Sequence, residues 1–147
     1  MKDVSVEELL RRARVEVAPG TFVVAGLGHG EWARLLENPE LSPRADATMM
    51  LLRDRHEVTL VVEEEDWRAM RHVVRDARVE TGWRLLTFDV ILDWEVVGFL
   101  AHVTRILAEA GVSVGALTAF SRDHLLVRQG QLGAALRALG PHVAELC

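Results

Sequence analysis

Within residues 85–110 the spacing of apolar side chains changes period across one short turn, and this change restricts the fold more than any other feature of the chain. Leu85-Leu86-Thr87-Phe88-Asp89-Val90-Ile91 mixes apolar and polar side chains at strand spacing, whereas Val96, Leu100, Val103, Leu107 and Ala110 recur at helical spacing. Between them lies the acidic turn Leu92-Asp93-Trp94-Glu95-Val96-Val97-Gly98. The pattern continues as strand, tight hairpin, strand and helix as far as residue 139. N–H groups in the first turn of a helix have no intrahelical partner, so a turn at such a junction can grip a ligand.

The first half of the chain repeats this order. Thr48-Met49-Met50-Leu51-Leu52-Arg53-Asp54-Arg55-His56-Glu57-Val58-Thr59-Leu60-Val61 has the pattern of Gly115-Ala116-Leu117-Thr118-Ala119-Phe120-Ser121-Arg122-Asp123-His124-Leu125-Leu126-Val127. Each holds two apolar runs around a charged tip with a histidine, and each is followed by a helix. Ser5-Val6-Glu7-Glu8 has capping-box spacing and predicts a short helix near the N-terminus. A strand over residues 21–25 and a helix over 31–37 follow, then the breaks Asn38-Pro39 and Ser42-Pro43. A helix begins in the acidic run 63–66, and residues 77–80 and 143–146 supply a closing strand to each half. With the joint near Thr81-Gly82, the expected organisation is an N-terminal helix in 1–13, a first unit in 14–81 and a second in 82–147. Each unit reads strand, helix, strand, strand, helix, strand. The fold class is therefore α+β: two tandem ferredoxin-like (βαββαβ) units, each an antiparallel sheet with helices on one face.

Composition excludes several functions. At 147 residues the chain can bury about two thirds of its unfolded surface. No apolar run approaches the roughly 20 residues that cross a bilayer, and residues 1–13 alternate charges with leucines where a secretion signal would be continuously apolar. A cytoplasmic protein without a membrane partner is expected. The single cysteine, Cys147, excludes an internal disulfide framework and a paired-cysteine metal site. A net charge of -5 argues against nucleic acid, and neither Leu85–Val90 nor residues 124–129 carries the aromatic-rich strands of an RNA recognition fold.

Other signals carry less. Gly26-Leu27-Gly28-His29-Gly30 follows a strand, but Glu31 stands where a dinucleotide loop needs its third glycine. His29, His56, His72, His102, His124 and His142 include no pair at the spacing of a helical zinc motif, so no metal is expected. His56 and His124 read as equivalent hairpin positions with a structural role. No nucleophile elbow or comparable activated arrangement is present. A carboxylate from Asp93 or Glu95 working with His102 or His124 would need a proximity that sequence cannot establish. No catalytic residue and no cofactor are expected.

Phe88-Asp89-Val90, Asp93-Trp94-Glu95-Val96-Val97-Gly98-Phe99-Leu100, Leu107-Ala108-Glu109-Ala110-Gly111-Val112-Ser113-Val114 and Asp123-His124-Leu125-Leu126-Val127 together resemble the ACT domain. More closely, they are similar to the small bacterial tandem ACT proteins related to the cytosolic arginine sensor of animals. The resemblance runs over residues 84–139, and order and spacing carry it into the first half. It implies a ligand, usually an amino acid, held between two ACT units by the first loop of one and the start of the second strand of another. Here those positions are Leu92, Asp93, Trp94, Glu95, Val97 and Gly98, and Val112, Ser113 and Val114. Many members have a Pro-Gly pair in the loop and an Asn at the strand start; this chain has Val97-Gly98 and Ser113.

A carboxylate can sit on the free N–H groups near the helix start, while Asp93 and Glu95 favour an amine or guanidinium. Trp94 can stack on such a cation, and Asp93 can alternatively cap the helix. The expected function is a non-enzymatic regulatory or sensor protein, a homodimer that binds an amino acid or similar small zwitterion. With no output module in the chain, an unidentified protein partner would read its state. The alternative is a structural or interaction dimer whose ligand site has decayed.

Overall fold

The computed structural model describes residues 4–147, so Met1, Lys2 and Asp3 of the expected N-terminal helical segment 1–13 lie outside the described residues. The chain opens with α1 (Val6–Arg12) and β1 (Arg14–Val17). Ser5 caps α1 by accepting the Glu8 N–H on its hydroxyl at 3.2 Å, and the Glu8 carboxylate pairs with Arg12 Nη2 at 2.7 Å. Contacts divide the chain into two compact units. One is residues 20–83; the other joins the N-terminal stretch through Pro19 to residues 84–147.

The unit of residues 20–83 contains β2 (Phe22–Leu27), α2 (His29–Leu36), a 3-10 turn at Pro39–Leu41, β3 (Met50–Arg53), β4 (Val58–Glu63) and α3 (Glu64–Met70). The first half of β5 (Arg78–Asp89) completes it. Its strands lie in the order β3-β4-β2-β5, every pair antiparallel. Alternate residues Val23, Ala25 and Leu27 of β2 and Val58, Leu60 and Val62 of β4 form one core with Trp67, Met70 and Val74. Period-two spacing places all six strand residues on the helix-bearing face. At the β3–β4 tip the Asp54 carboxylate accepts the N–H groups of Glu57 at 2.9 Å and His56 at 2.7 Å, and these bonds hold its pKa below the ordinary range.

Residues 77–80 and 85–91, expected as separate strands around a joint at Thr81-Gly82, are largely one strand. Gly82 adopts φ 76° inside β5, opposite a register shift between Phe22 and Val24. A glycine that reads as a boundary here absorbs an irregularity in a continuing strand.

The second unit uses the other half of β5, then α4 (Phe99–Glu109), β6 (Val114–Thr118), β7 (Asp123–Arg128), a 3-10 turn at Gln129–Gln131, α5 (Leu132–Leu139) and β8 (Glu145–Leu146). Its strand order is β6-β7-β5-β1-β8. Here the structure differs from the expected division at residue 14. β1 pairs antiparallel with β5, Arg14 opposite Asp89 and Val17 opposite Leu86, and so groups with residues 84–147 rather than with the neighbouring β2. The sheet is mixed rather than wholly antiparallel, because β1 occupies the place beside β5 and β8 joins β1 in parallel. Val15, Leu86, Phe88, Leu125 and Val127 face Leu10 of α1, Phe99, Val103 and Leu107 of α4, and Ala135 and Leu139 of α5 in one core. Phe88 and Phe99 meet edge to face, 6.0 Å between centroids. The molecule is an α+β protein with a mixed sheet and helices on one face. No helix among the described residues is long and apolar enough to cross a membrane.

Candidate ligand-binding site

Strand β5 ends at Asp89 and α4 begins only at Phe99, and the intervening chain folds on its own bonds. The Val96 N–H donates to the Asp93 carbonyl at 3.0 Å, and the Glu95 N–H to Asp93 Oδ1 at 3.2 Å. Asp93 therefore closes its own turn rather than capping the helix. The Leu92 N–H donates to the Ser121 carbonyl at 2.8 Å, which ties the loop to the tip of the β6–β7 hairpin. Gly98 precedes α4 with φ 89°, a left-handed conformation natural to a residue without Cβ. The first full helical bond runs from His102 N–H to the Gly98 carbonyl at 2.9 Å, so the N–H groups of Phe99, Leu100 and Ala101 point outward without intrahelical acceptors.

These elements enclose a cavity of ≈ 330 Å³. Leu92, Asp93, Trp94, Val96 and Gly98 line it from the loop, Phe99, Leu100 and Ala101 from the helix start, and Thr118, Phe120, Ser121, Arg122 and Asp123 from the hairpin. Its size is at the lower end of the roughly 300–1,000 Å³ found for small-molecule pockets. Trp94 and Phe120 meet edge to face at 6.0 Å and remain 68% and 82% exposed.

Asp123 is the unexpected member. It is only 7% exposed, it lines the cavity, and no described residue donates a hydrogen bond to its carboxylate. Strands β4 and β7 share the same alternation of burial, and the residue of β4 at this position is the fully buried Val58. Solvent in the open cavity reaches the Asp123 carboxylate, whose oxygens are not among the fully buried side-chain atoms left without a partner. Arg122 does not neutralise it, because its Nε donates to Asp89 Oδ1 at 2.8 Å. Next along β7, half-buried His124 places Nδ1 2.8 Å from Thr87 Oγ1, and burial pushes its pKa below the usual 6.5. His56 lies in the β3–β4 turn, not on the strand, so the position matching His124 is Thr59 and not His56.

The remaining predicted site residues lie elsewhere. Glu95 and Val97 line a shallower groove beside Val4, Ser5, Val6 and Leu9. Val112 is buried below α4, and the Ser113 N–H donates to Gln131 Oε1 at 3.3 Å. Val114 pairs with Val127 at one end of β6 while Thr118 pairs with Asp123 at the other, so Val112, Ser113 and Val114 lie roughly 13 Å or more along the strand from the cavity. One unit does not unite the two halves of the predicted site. Among the described residues no group of three or more His, Cys, Asp and Glu side chains is placed to hold a metal ion.

The other unit has no comparable loop. Gly28 alone separates β2 from α2, and the Glu31 carboxylate, 7% exposed, accepts the Gly28 N–H at 3.3 Å and the Asp76 N–H at 3.2 Å. This helix start is filled by the chain's own carboxylate.

Residues 78–140, from the start of β5 to the end of α5, match the model of the ACT domain. This segment is an ACT domain. The ≈ 330 Å³ cavity lies wholly inside it, at the first loop of the ACT domain. A protein from Agobacterium tumefaciens is similar in fold at a TM-score of 0.68 and 20% identity, covering 92% of each chain. A Vibrio cholerae protein of unknown function, described as a possible transport protein, reaches 0.67 at 27% identity over 93% of this chain and 94% of its own. The ligand-free regulatory subunit of aspartate kinase from Thermus thermophilus reaches 0.66 at 14% identity over 90% and 98%. No curated protein sequence matches the chain.

Proposed function

We propose that this protein is a non-enzymatic regulatory protein that binds an amino acid or similar small zwitterion in the cavity at the first loop of its ACT domain. The observation that carries the reading is the pairing of opposite needs in one cavity. The start of α4 offers outward N–H groups to a carboxylate, and the Asp123 carboxylate in the cavity wall offers a partner to a cation. The helix start favours an anion by about 0.3–1 kcal/mol, and a cationic group beside Trp94 and Phe120 gains roughly 0.5–2 kcal/mol from the rings. Asp93 and Asp123 together favour an amino acid with a second positive charge. The ACT domain and the regulatory role of the similar aspartate kinase subunit both support this reading.

In this reading both units are tandem ferredoxin-like ACT units, the one at residues 20–83 degenerate because Glu31 occupies its helix start. A cytoplasmic homodimer would bring Val112, Ser113 and Val114 of a second copy to the open side of the cavity. A protein partner would then sense whichever arrangement the ligand favours. Thermal unfolding against the twenty amino acids tests the proposal, since a ligand at one hundred times its Kd adds about 2.7 kcal/mol. We expect a rise confined to a few amino acids and lost in Asp123→Asn. Identical midpoints with all twenty would reject it.

A second reading rests on a different observation. Ile91, Trp94 and Val97 of the loop and Phe120 of the hairpin tip are all strongly exposed apolar side chains, which suits a contact surface for a structural dimer whose ligand site has decayed. That reading predicts a concentration-dependent mass in sedimentation that Trp94→Ser abolishes and no amino acid alters.

A further inference from the structure

The unit of residues 20–83 carries a feature that the ACT loop does not explain. In the ACT domain, residues 110–113 connect the first helix to the following strand; in the other unit the equivalent connection is residues 37–49. The longer connection carries its own 3-10 turn at Pro39–Leu41. It builds a second cavity, of ≈ 230 Å³, between itself, α2 and the β3–β4 sheet. Of the side chains that line it, only Ser42 is polar; Trp32, Leu60 and Met70 form its inner wall, while Leu36 and Met49 are exposed at its edge.

One residue pins the inserted segment. Arg44 directs its guanidinium to Glu63, to Glu65 Oε2 at 3.0 Å and to the buried Asp66 at 3.0 Å, and its backbone N–H also donates to Asp66 Oδ1 at 3.3 Å. Charge-assisted bonds of this kind are strong and geometrically specific. Pro43, adjacent to Arg44, lines the cavity. The latch and the wall are thus consecutive residues.

We propose that the inserted segment 37–49 forms a binding site for a small uncharged apolar molecule, aromatic or branched aliphatic, and that Arg44 latches this segment over it. A charged ligand would lose its hydration without gaining a partner, whereas an apolar one exchanges water contact for packing. The site is independent of the ACT loop and stands or falls separately from it.

Methyl NMR of methionine-labelled full-length protein titrated with indole tests the assignment. Met49 and Met70 line the cavity and the neighbouring Met50 does not. The expected result is a saturable movement of the Met49 and Met70 methyl signals with Met50 stationary. Arg44→Gln should leave the end-point shifts in place and speed the exchange several-fold. Met49→Trp, at an exposed edge position, should fill the mouth and abolish the Met70 response, and Leu36→Arg should weaken it. A stationary Met70 at the solubility limit of indole would overturn the proposal, as would Met50 moving in parallel with Met49 and Met70.

Discussion

Asp123 and Val58 occupy the same strand position in the two units, one acidic and one apolar. In the absence of ligand, Asp123→Val should raise the free energy of unfolding by about 0.5–2 kcal/mol in urea titrations, because a polar residue that is only 7% exposed gives way to an apolar one. A loss of stability would show instead that the carboxylate holds the hairpin. The same substitution should abolish the response to amino acids. His124 beside it supplies a pH dependence. Its pKa is depressed in the fold, chiefly by burial, from an ordinary value of 6.5. The unfolded chain then binds the proton more readily, so His124 contributes its full stability above about pH 6.5 and loses it as the pH falls toward the folded pKa. Wild-type protein should therefore lose more stability than His124→Gln between pH 7 and pH 5. Asp123 stands in a sequence motif that points to this fold, yet its role is hidden there, since an acid at a hairpin end ordinarily reads as a turn residue in water. Only the register of β7 against β6, matched to that of β4, shows it pointing inward.

At the level of elements, the helices and hairpins are largely legible because their signals are local. Ser5 caps α1 as its spacing requires, Asp54 closes the β3–β4 tip, and the apolar spacing of Val103 and Leu107 sets the buried face of α4. Helix α2 starts two residues earlier than expected because Gly28 and the Glu31 carboxylate form its cap. What sequence conceals is non-local. The continuity of β5 through Gly82 depends on the partner strands on either side of it, and no window of β5 alone contains them. Gly98 is the element-level test of the cavity. Giving it a side chain at φ 89° strains the helix start, so Gly98→Ala should cost about 1–2 kcal/mol of stability. It should also weaken ligand binding, since it misdirects the N–H groups of Phe99 and Leu100. Glu31 is the corresponding test in the other unit: Glu31→Ala removes the acceptor of the part-buried bonds from the Gly28 and Asp76 N–H groups and should cost about 0.5–1.5 kcal/mol for each bond lost. Equal stability of this variant in urea would remove Glu31 from the account of why that helix start is closed.

For the molecule as a whole, the division of the chain matters more than any single contact. The ACT domain is completed by a strand from the far end of the sequence. β1 lies between β5 and β8, and without it Phe88 and Leu86 lose the cover of Val15 and Leu10. A fragment of residues 84–147 should therefore give the poorly dispersed NMR spectrum of an unfolded chain, and should acquire dispersed signals when a peptide of residues 4–19 is added. A well-dispersed spectrum from the fragment alone would show β1 to be an accessory. The sequence could not reveal this pairing, because β1 is four residues long and sits next to β2, and strand partners more than sixty residues apart leave no local trace.

This arrangement has a consequence during synthesis. Residues 20–83 are contiguous and can close as soon as they leave the ribosome, since their sheet and both helices are then present. The earlier-made α1 and β1 must wait, their apolar faces uncovered, until β5 has emerged, and β1 gains its parallel neighbour only once Glu145 and Leu146 are made. The segment of α1 and β1 is thus made before residues 20–83 and secured after them, and any stall between residues 19 and 84 leaves Leu10 and Val15 open to chaperones, or to the matching segment on an adjacent nascent chain.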